Sequence, residues 1–240
     1  VAIDASLSLP EVPETLPLNF NHEAGFCEAP FDLAISSGQP GYDVIYTIDG
    51  SNPQTSSTAT RSNTAVTLRI DPAISAGRPA TPVFLVRASL VIDGYSPSRP
   101  VTKSFIFLDK VLTQGHPGGE WPSSPVNGQV IDLGMDPGVV NDPRYSQQMK
   151  ASLTDIPSIS LVTDLADMFG ASRGIYVNAY QHGEEWERQC SLELINPDNT
   201  IGFRVNAGVR IRGGASRSPD NPKHAFRLFF RKEYGPGKLL

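Results

Sequence analysis

The densest group of residues that could do chemistry is Arg210-Ile211-Arg212-Gly213-Gly214-Ala215-Ser216-Arg217, followed shortly by Lys223 and Arg227. Glycines let a backbone approach an anion closely, and guanidinium groups neutralise one with forked hydrogen bonds. The block reads as a strand running into a glycine turn, and the chemistry it suits is anion binding. It is neither a Walker loop nor the G-x-G-x-x-G turn. The competing reading makes these cations solvated strand positions or partners of nearby acids. A second group, Glu184, Glu185 and Glu187 around Trp186, has the residue types of an acid/base couple or a hydrolase pair. The plainer reading makes Trp186 a core or hinge aromatic with Arg188 as a local ion partner. No metal site is expected, since His22, His116, His182 and His224 are scattered and no Cys or His spacing suits a metal.

Charge is unevenly spread. Residues 110–203 carry a net −7 and residues 204–240 a net +7, within a chain of net −5. The basic segment therefore calls for an acidic or phosphate partner: ATP, a further stretch of its own chain, or the acidic 110–203 region. No run of 18 apolar residues occurs, so no membrane span is expected, and nucleic acid is not expected as a partner. The two cysteines, Cys27 and Cys190, fall in different parts of the chain and are expected to be free, buried thiols.

The elements that must position these residues are mostly strands. The 21 prolines and 21 glycines favour short strands and many turns. Residues 1–16 read as a linker or extended edge segment. From 17 to 109 short apolar runs alternate with turns: 31–35, 44–48, Val66-Leu68-Ile70, 82–92 and 101–108, with Asp49-Gly50-Ser51-Asn52-Pro53 a dense turn signal. Residues 110–155 are turn-rich, with one short helix expected over 145–153 from the recurrence of Tyr145, Met149 and Leu153. From 156 onward the pattern is an antiparallel sheet: 159–162, 191–195, 203–212 and 225–231, with a helical turn at 164–169 opened by Asp164. Over 203–212, Phe203, Val205, Ala207, Val209 and Ile211 share one face, and Arg204, Asn206, Gly208, Arg210 and Arg212 the other. The fold class is mainly β: an immunoglobulin/fibronectin-III-like β-sandwich over 17–109, then a partial α+β lobe with an antiparallel sheet over 156–240.

Two stretches resemble known families. Ile45-Tyr46-Thr47-Ile48-Asp49-Gly50-Ser51-Asn52-Pro53, with Val86-Arg87-Ala88 and Gly94-Tyr95-Ser96-Pro97-Ser98, is similar to the chitobiase C-terminal or fibronectin-III-associated domain. That resemblance implies an accessory module without catalytic residues. The blocks 156–164, 174–198, 207–217 and 221–235 resemble the opening of the CotH family, spore-coat-type proteins that include atypical secreted protein kinases.

The CotH resemblance implies that Arg212, Gly213, Gly214, Arg217, Lys223 and Arg227 face a nucleotide. It also implies that the metal-binding and catalytic acids lie in a later part of such a domain, outside this incomplete 156–240 stretch. No cofactor is then expected in this chain, with ATP and a divalent metal expected only for a longer protein. The leading expectation is an accessory or structural fragment of a secreted or cell-envelope bacterial multidomain protein, in contact with the remainder of its own chain or other envelope proteins. The amino-terminal part of a secreted kinase is the second reading. A carbohydrate-binding module, with polysaccharide as partner, is the third, and Tyr42, Tyr46 and Tyr95 are the aromatics that the sandwich offers it.

Overall fold

In a computed structural model of the chain, residues 9, 10, 12 and 18–239 are described. The expectation for 1–16 therefore lies almost wholly outside the described residues. Where Pro10 and Val12 are seen, they run beside Ser96, whose amide donates to the Pro10 carbonyl and whose carbonyl accepts from the Val12 amide. Val12 is buried in the first core.

The fold is mainly β, with three separate sheets among the described residues. The strands are β1 (Asn19–Phe20), β2 (Gly25–Phe26), β3 (Phe31–Ser36), β4 (Asp43–Thr47), β5 (Thr60–Ser62), β6 (Val66–Ile70), β7 (Val83–Val91) and β8 (Val101–Ile106). They form a three-stranded sheet, β1-β3-β6, and a five-stranded sheet, β2-β8-β7-β4-β5. Alternation along each strand sends Leu33, Ile35, Ile70, Phe84, Val86, Ala88, Leu90 and Phe105 into one apolar cluster between the two sheets. All contacts of β7 with β4 and β8 are antiparallel; β2 joins β8 in parallel.

The third sheet, in the order β12-β11-β10-β9, is antiparallel throughout: β9 (Ser158–Val162), β10 (Arg188–Ile195), β11 (Ile201–Arg212) and β12 (Ala225–Phe229). One face buries Cys190, Leu192, Val205, Ala207, Val209 and Ile211 against Ile175, Ala179, Met168, Tyr176 and Trp186. The alternation read from 203–212 is therefore the alternation of the folded strand. Cys27 and Cys190 are free thiols, one against each cluster.

The opposite face of this sheet is packed on the outer face of the five-stranded sheet, and that contact is polar. Arg87, Ser89, Thr102 and Ser104 line one side, all buried. Ser160, Ser191, Glu193, Arg204 and Asn206 line the other. The Ser104 and Ser160 hydroxyls are 2.7 Å apart, and Asn206 Nδ2 donates to the Pro100 carbonyl. The layers thus stack as two apolar cores separated by a polar seam.

Local helix expectations need correction. Only α3 (Met149–Ser152) forms within 145–153; Asp142–Gln148 is taken up by successive turns closed on the Asp142 and Tyr145 carbonyls. Two further short helices, α1 (Leu108–Val111) and α2 (Pro137–Val140), had no periodic signal. The first of these also cuts short the expected 101–108 strand: β8 stops at Ile106 and α1 begins at Leu108. The helical turn at 164–169 is α4 (Leu165–Phe169), but Asp164 makes no side-chain cap bond to it. Its carboxylate is spent elsewhere.

Candidate functional site

The arginine–glycine block lies where β11 leaves the sheet. Arg217 is half-buried, and its guanidinium donates to the carbonyls of Gly213, Ala179, Gln181 and Ile211. It ties the glycine turn to the 175–181 segment. Gly213 has φ +129, and a Cβ there would strike Ser216 Oγ. Its missing side chain makes room for this chain's own serine. Gly214 has open space where a Cβ would be. Arg212, Lys223 and Arg227 are exposed, and Arg227 sits 5.2 Å from the Phe229 ring centroid. The sequence-predicted residues are thus brought to one end of the sheet, but Arg217 has its donors occupied.

The other cations of the basic segment meet acids of this chain. Arg204 donates to Glu193 (2.8 Å) and to Glu23 (3.0 Å). Arg210 donates to Glu187 (2.8 Å), which also contacts Arg231 at 2.9 Å. Glu187 lies across Gly208, where a Cβ would collide with its carboxylate. Tyr234, desolvated and hydrogen-bonded to Glu187, has its phenol held well above the usual range. Glu184 pairs with the same Arg231 (3.1 Å). Trp186 packs against the second core with Arg188 over its ring, and Arg188 donates to the carbonyls of Arg173, Glu185 and Glu187. Among the described residues no group of three His, Cys, Asp or Glu side chains is placed to hold a metal ion.

What residue spacing did not reveal is a cavity of about 870 Å³ where the sandwich, the 117–133 segment and the third sheet meet. Four aromatic rings line it: Trp121, Phe169, Tyr176 and Phe226, in sequential contact at centroid separations of 5.6, 5.6 and 6.3 Å. Each comes from a different segment, so no periodicity links them. The 110–155 stretch is anchored here. Gln129 is buried, its Nε2 donating to the Asn221 carbonyl and its Oε1 lying 2.8 Å from His224 Nε2. Asp49 also reaches the cavity. Burial pushes its carboxyl up, but the Ser51 and Thr58 hydroxyls outweigh that and hold it below the usual carboxylate range.

Fold and site together define a mainly-β, sandwich-like protein in which no helix among the described residues is long and apolar enough to cross a membrane. No protein-family model matches the chain, and no curated protein matches it. Among solved structures, the extracellular domains 3–5 of Drosophila OTK align over 85% of this chain and 69% of that one, at 12% identity and a TM-score of 0.27. A likeness of that size carries no argument about fold or function.

Proposed function

We propose that this chain is an accessory, structural part of a secreted or cell-envelope multidomain protein, and that its basic segment serves its own architecture. The observation that carries the reading is where the arginines go. Arg204, Arg210 and Arg231 meet Glu193, Glu23, Glu187 and Glu184, and Arg217 meets four carbonyls. Arg204, Arg210 and Arg231 of the basic segment are thus paired within the chain, with Glu184, Glu187 and Glu193 of the acidic 110–203 region and with Glu23. The extracellular setting rests on the chitobiase-like and CotH-like resemblances of the sequence.

A second reading, the amino-terminal part of a secreted ATP-dependent kinase, is favoured by one observation. Arg212, Lys223 and Arg227 are exposed and make no ion pair among the described residues, beside an open Gly214. Replacing Arg212 and Arg217 together with Gln separates the two. Under the structural reading, Mg-ATP affinity measured by calorimetry is unaffected or absent in both proteins, and stability falls by about 1–3 kcal/mol as the Arg217 carbonyl bonds are lost. A loss of roughly 2–4 kcal/mol in Mg-ATP binding at low salt overturns it in favour of the kinase.

A further inference from the structure

The 870 Å³ cavity falls within the range of about 300–1,000 Å³ typical of small-molecule sites. Its walls are unlike each other. One is aromatic and aliphatic, with Trp121, Phe169, Tyr176, Phe226, Leu85 and Met168. The other carries carboxylates: Glu120 and Asp132, both exposed, and Asp49, which already accepts from Ser51 and Thr58. Glu120 and Asp132 are exposed, Trp121 is half-buried, and Phe226 keeps 39% of its surface accessible, so these groups are reachable from solvent.

The charge of the lining narrows the ligand. Its one cation, Arg78, is buried and already donates to the carbonyls of Ile74, Thr81 and Val83 while lying 4.5 Å over the Phe84 ring. It has no free face for a phosphate or carboxylate, and the three carboxylates repel one. A purely apolar ligand would cover Glu120 and Asp132 without offering either a donor. An uncharged molecule with C–H faces for the rings and several hydroxyl donors for Glu120 and Asp132 satisfies both walls; a cation would also meet the carboxylates and is set against it in the test below.

We propose that the cavity is a binding site for a neutral saccharide, one or two sugar units of a chain, stacked on Trp121 and hydrogen-bonded to Asp132 and Glu120. The site is separate from the arginine–glycine block and does not depend on the accessory reading. Binding is by stacking and carboxylate acceptance, with no bond made or broken. Trp121 lies in the turn-rich stretch 115–122, and its indole contacts Phe169 from α4, so the platform forms where those two segments pack.

The test is titration of the purified chain with neutral tetrasaccharides (cello-, xylo-, manno- and chito-) and with tetragalacturonate as the anionic counterpart. Binding is read by saturation-transfer NMR and tryptophan fluorescence. At least one neutral tetrasaccharide is expected to bind, with Trp121→Ala weakening it about tenfold and Asp132→Asn several-fold. Trp186, in the second core, reports whether each variant still unfolds cooperatively. Where Trp121→Ala fails to fold, Asp132→Asn, altering an exposed side chain, carries the test alone. The proposal is overturned if no neutral saccharide binds at millimolar concentration, if binding is unchanged in the folded variants, or if tetragalacturonate or a cationic alkylammonium probe binds more tightly than every neutral sugar.

Discussion

Asp164 Oδ1 lies 3.2 Å from Arg87 Nη1 and accepts the Asn52 amide at 2.8 Å, while the same Arg87 nitrogen donates to the Gly50 carbonyl. One carboxylate from the entrance to α4 therefore holds the tight turn of the sandwich and the arginine at the centre of its outer sheet. Arg87 is 3% exposed, and burial works against its charge, with Asp164 the main compensation.

Asp164→Ala should leave Arg87 stranded in the seam. Removing one partner of a buried pair costs about 3–5 kcal/mol. Asp164 is 38% exposed, so screening reduces the expected loss to about 1–3 kcal/mol in urea unfolding. Adding Arg87→Met should recover part of that loss. A double variant no more stable than the single one contradicts the account.

Glu187 and Glu184 both contact Arg231, but only Glu187 is buried, and only Glu187 holds Arg210. Glu187→Ala should destabilise the chain by about 2–4 kcal/mol, chiefly by leaving the partly buried Arg210 unpaired. Glu184→Ala should change the midpoint little. Equal effects of the two substitutions would show that burial does not rank them.

The pH dependence of stability should show the seam. Glu193 is buried and its Oε2 has no hydrogen-bond partner. Burial raises its folded pKa, with Ser104 and Arg204 compensating in part. A carboxyl raised on folding contributes stability below its unfolded value and loses it as pH climbs through the folded value. The advantage of the native chain over Glu193→Gln should therefore shrink as pH rises from the ordinary glutamate range toward neutral. Glu23, lowered by Lys103 and Arg204 against the opposing effect of burial, has the opposite sign: its contribution is lost as acid is added through its lowered value. A stability difference from Glu193→Gln that is flat, or that grows with pH, rejects the assignment.

Both thiols should be inert in the folded protein. Burial pushes Cys27 up to about 11 and Cys190 up to about 12. At pH 8 neither is appreciably thiolate, and Cys190 is wholly enclosed. Alkylation with iodoacetamide should be negligible at Cys190 in native conditions and complete at both after denaturation without reductant. Fewer than two thiols in the denatured, unreduced chain would reveal a disulfide.

The sequence by itself determined the β character, most of the strands and the face assignments of β11. Alternation is local: Phe203 to Arg212 declares its inward and outward sides through side chains two residues apart, and Asp49-Gly50 declares its turn by the positive φ that Gly50 adopts. It also brought the arginine–glycine block to notice. Only the tertiary structure decided what those groups do. Asp164 looked like a helix cap and became a tie across two sheets, because its partners, Asn52 and Arg87, lie 112 and 77 residues away. Arg217 looked free for an anion, yet carbonyls from 36 to 38 residues upstream reach it first. Trp121, Phe169, Tyr176 and Phe226 sit in four segments with no shared period, and they become one wall only when sheets, α4 and the irregular 117–133 stretch pack together. A periodic signal records which way a side chain points from its own strand; which distant group meets it there is fixed by packing, and packing has no trace in local spacing.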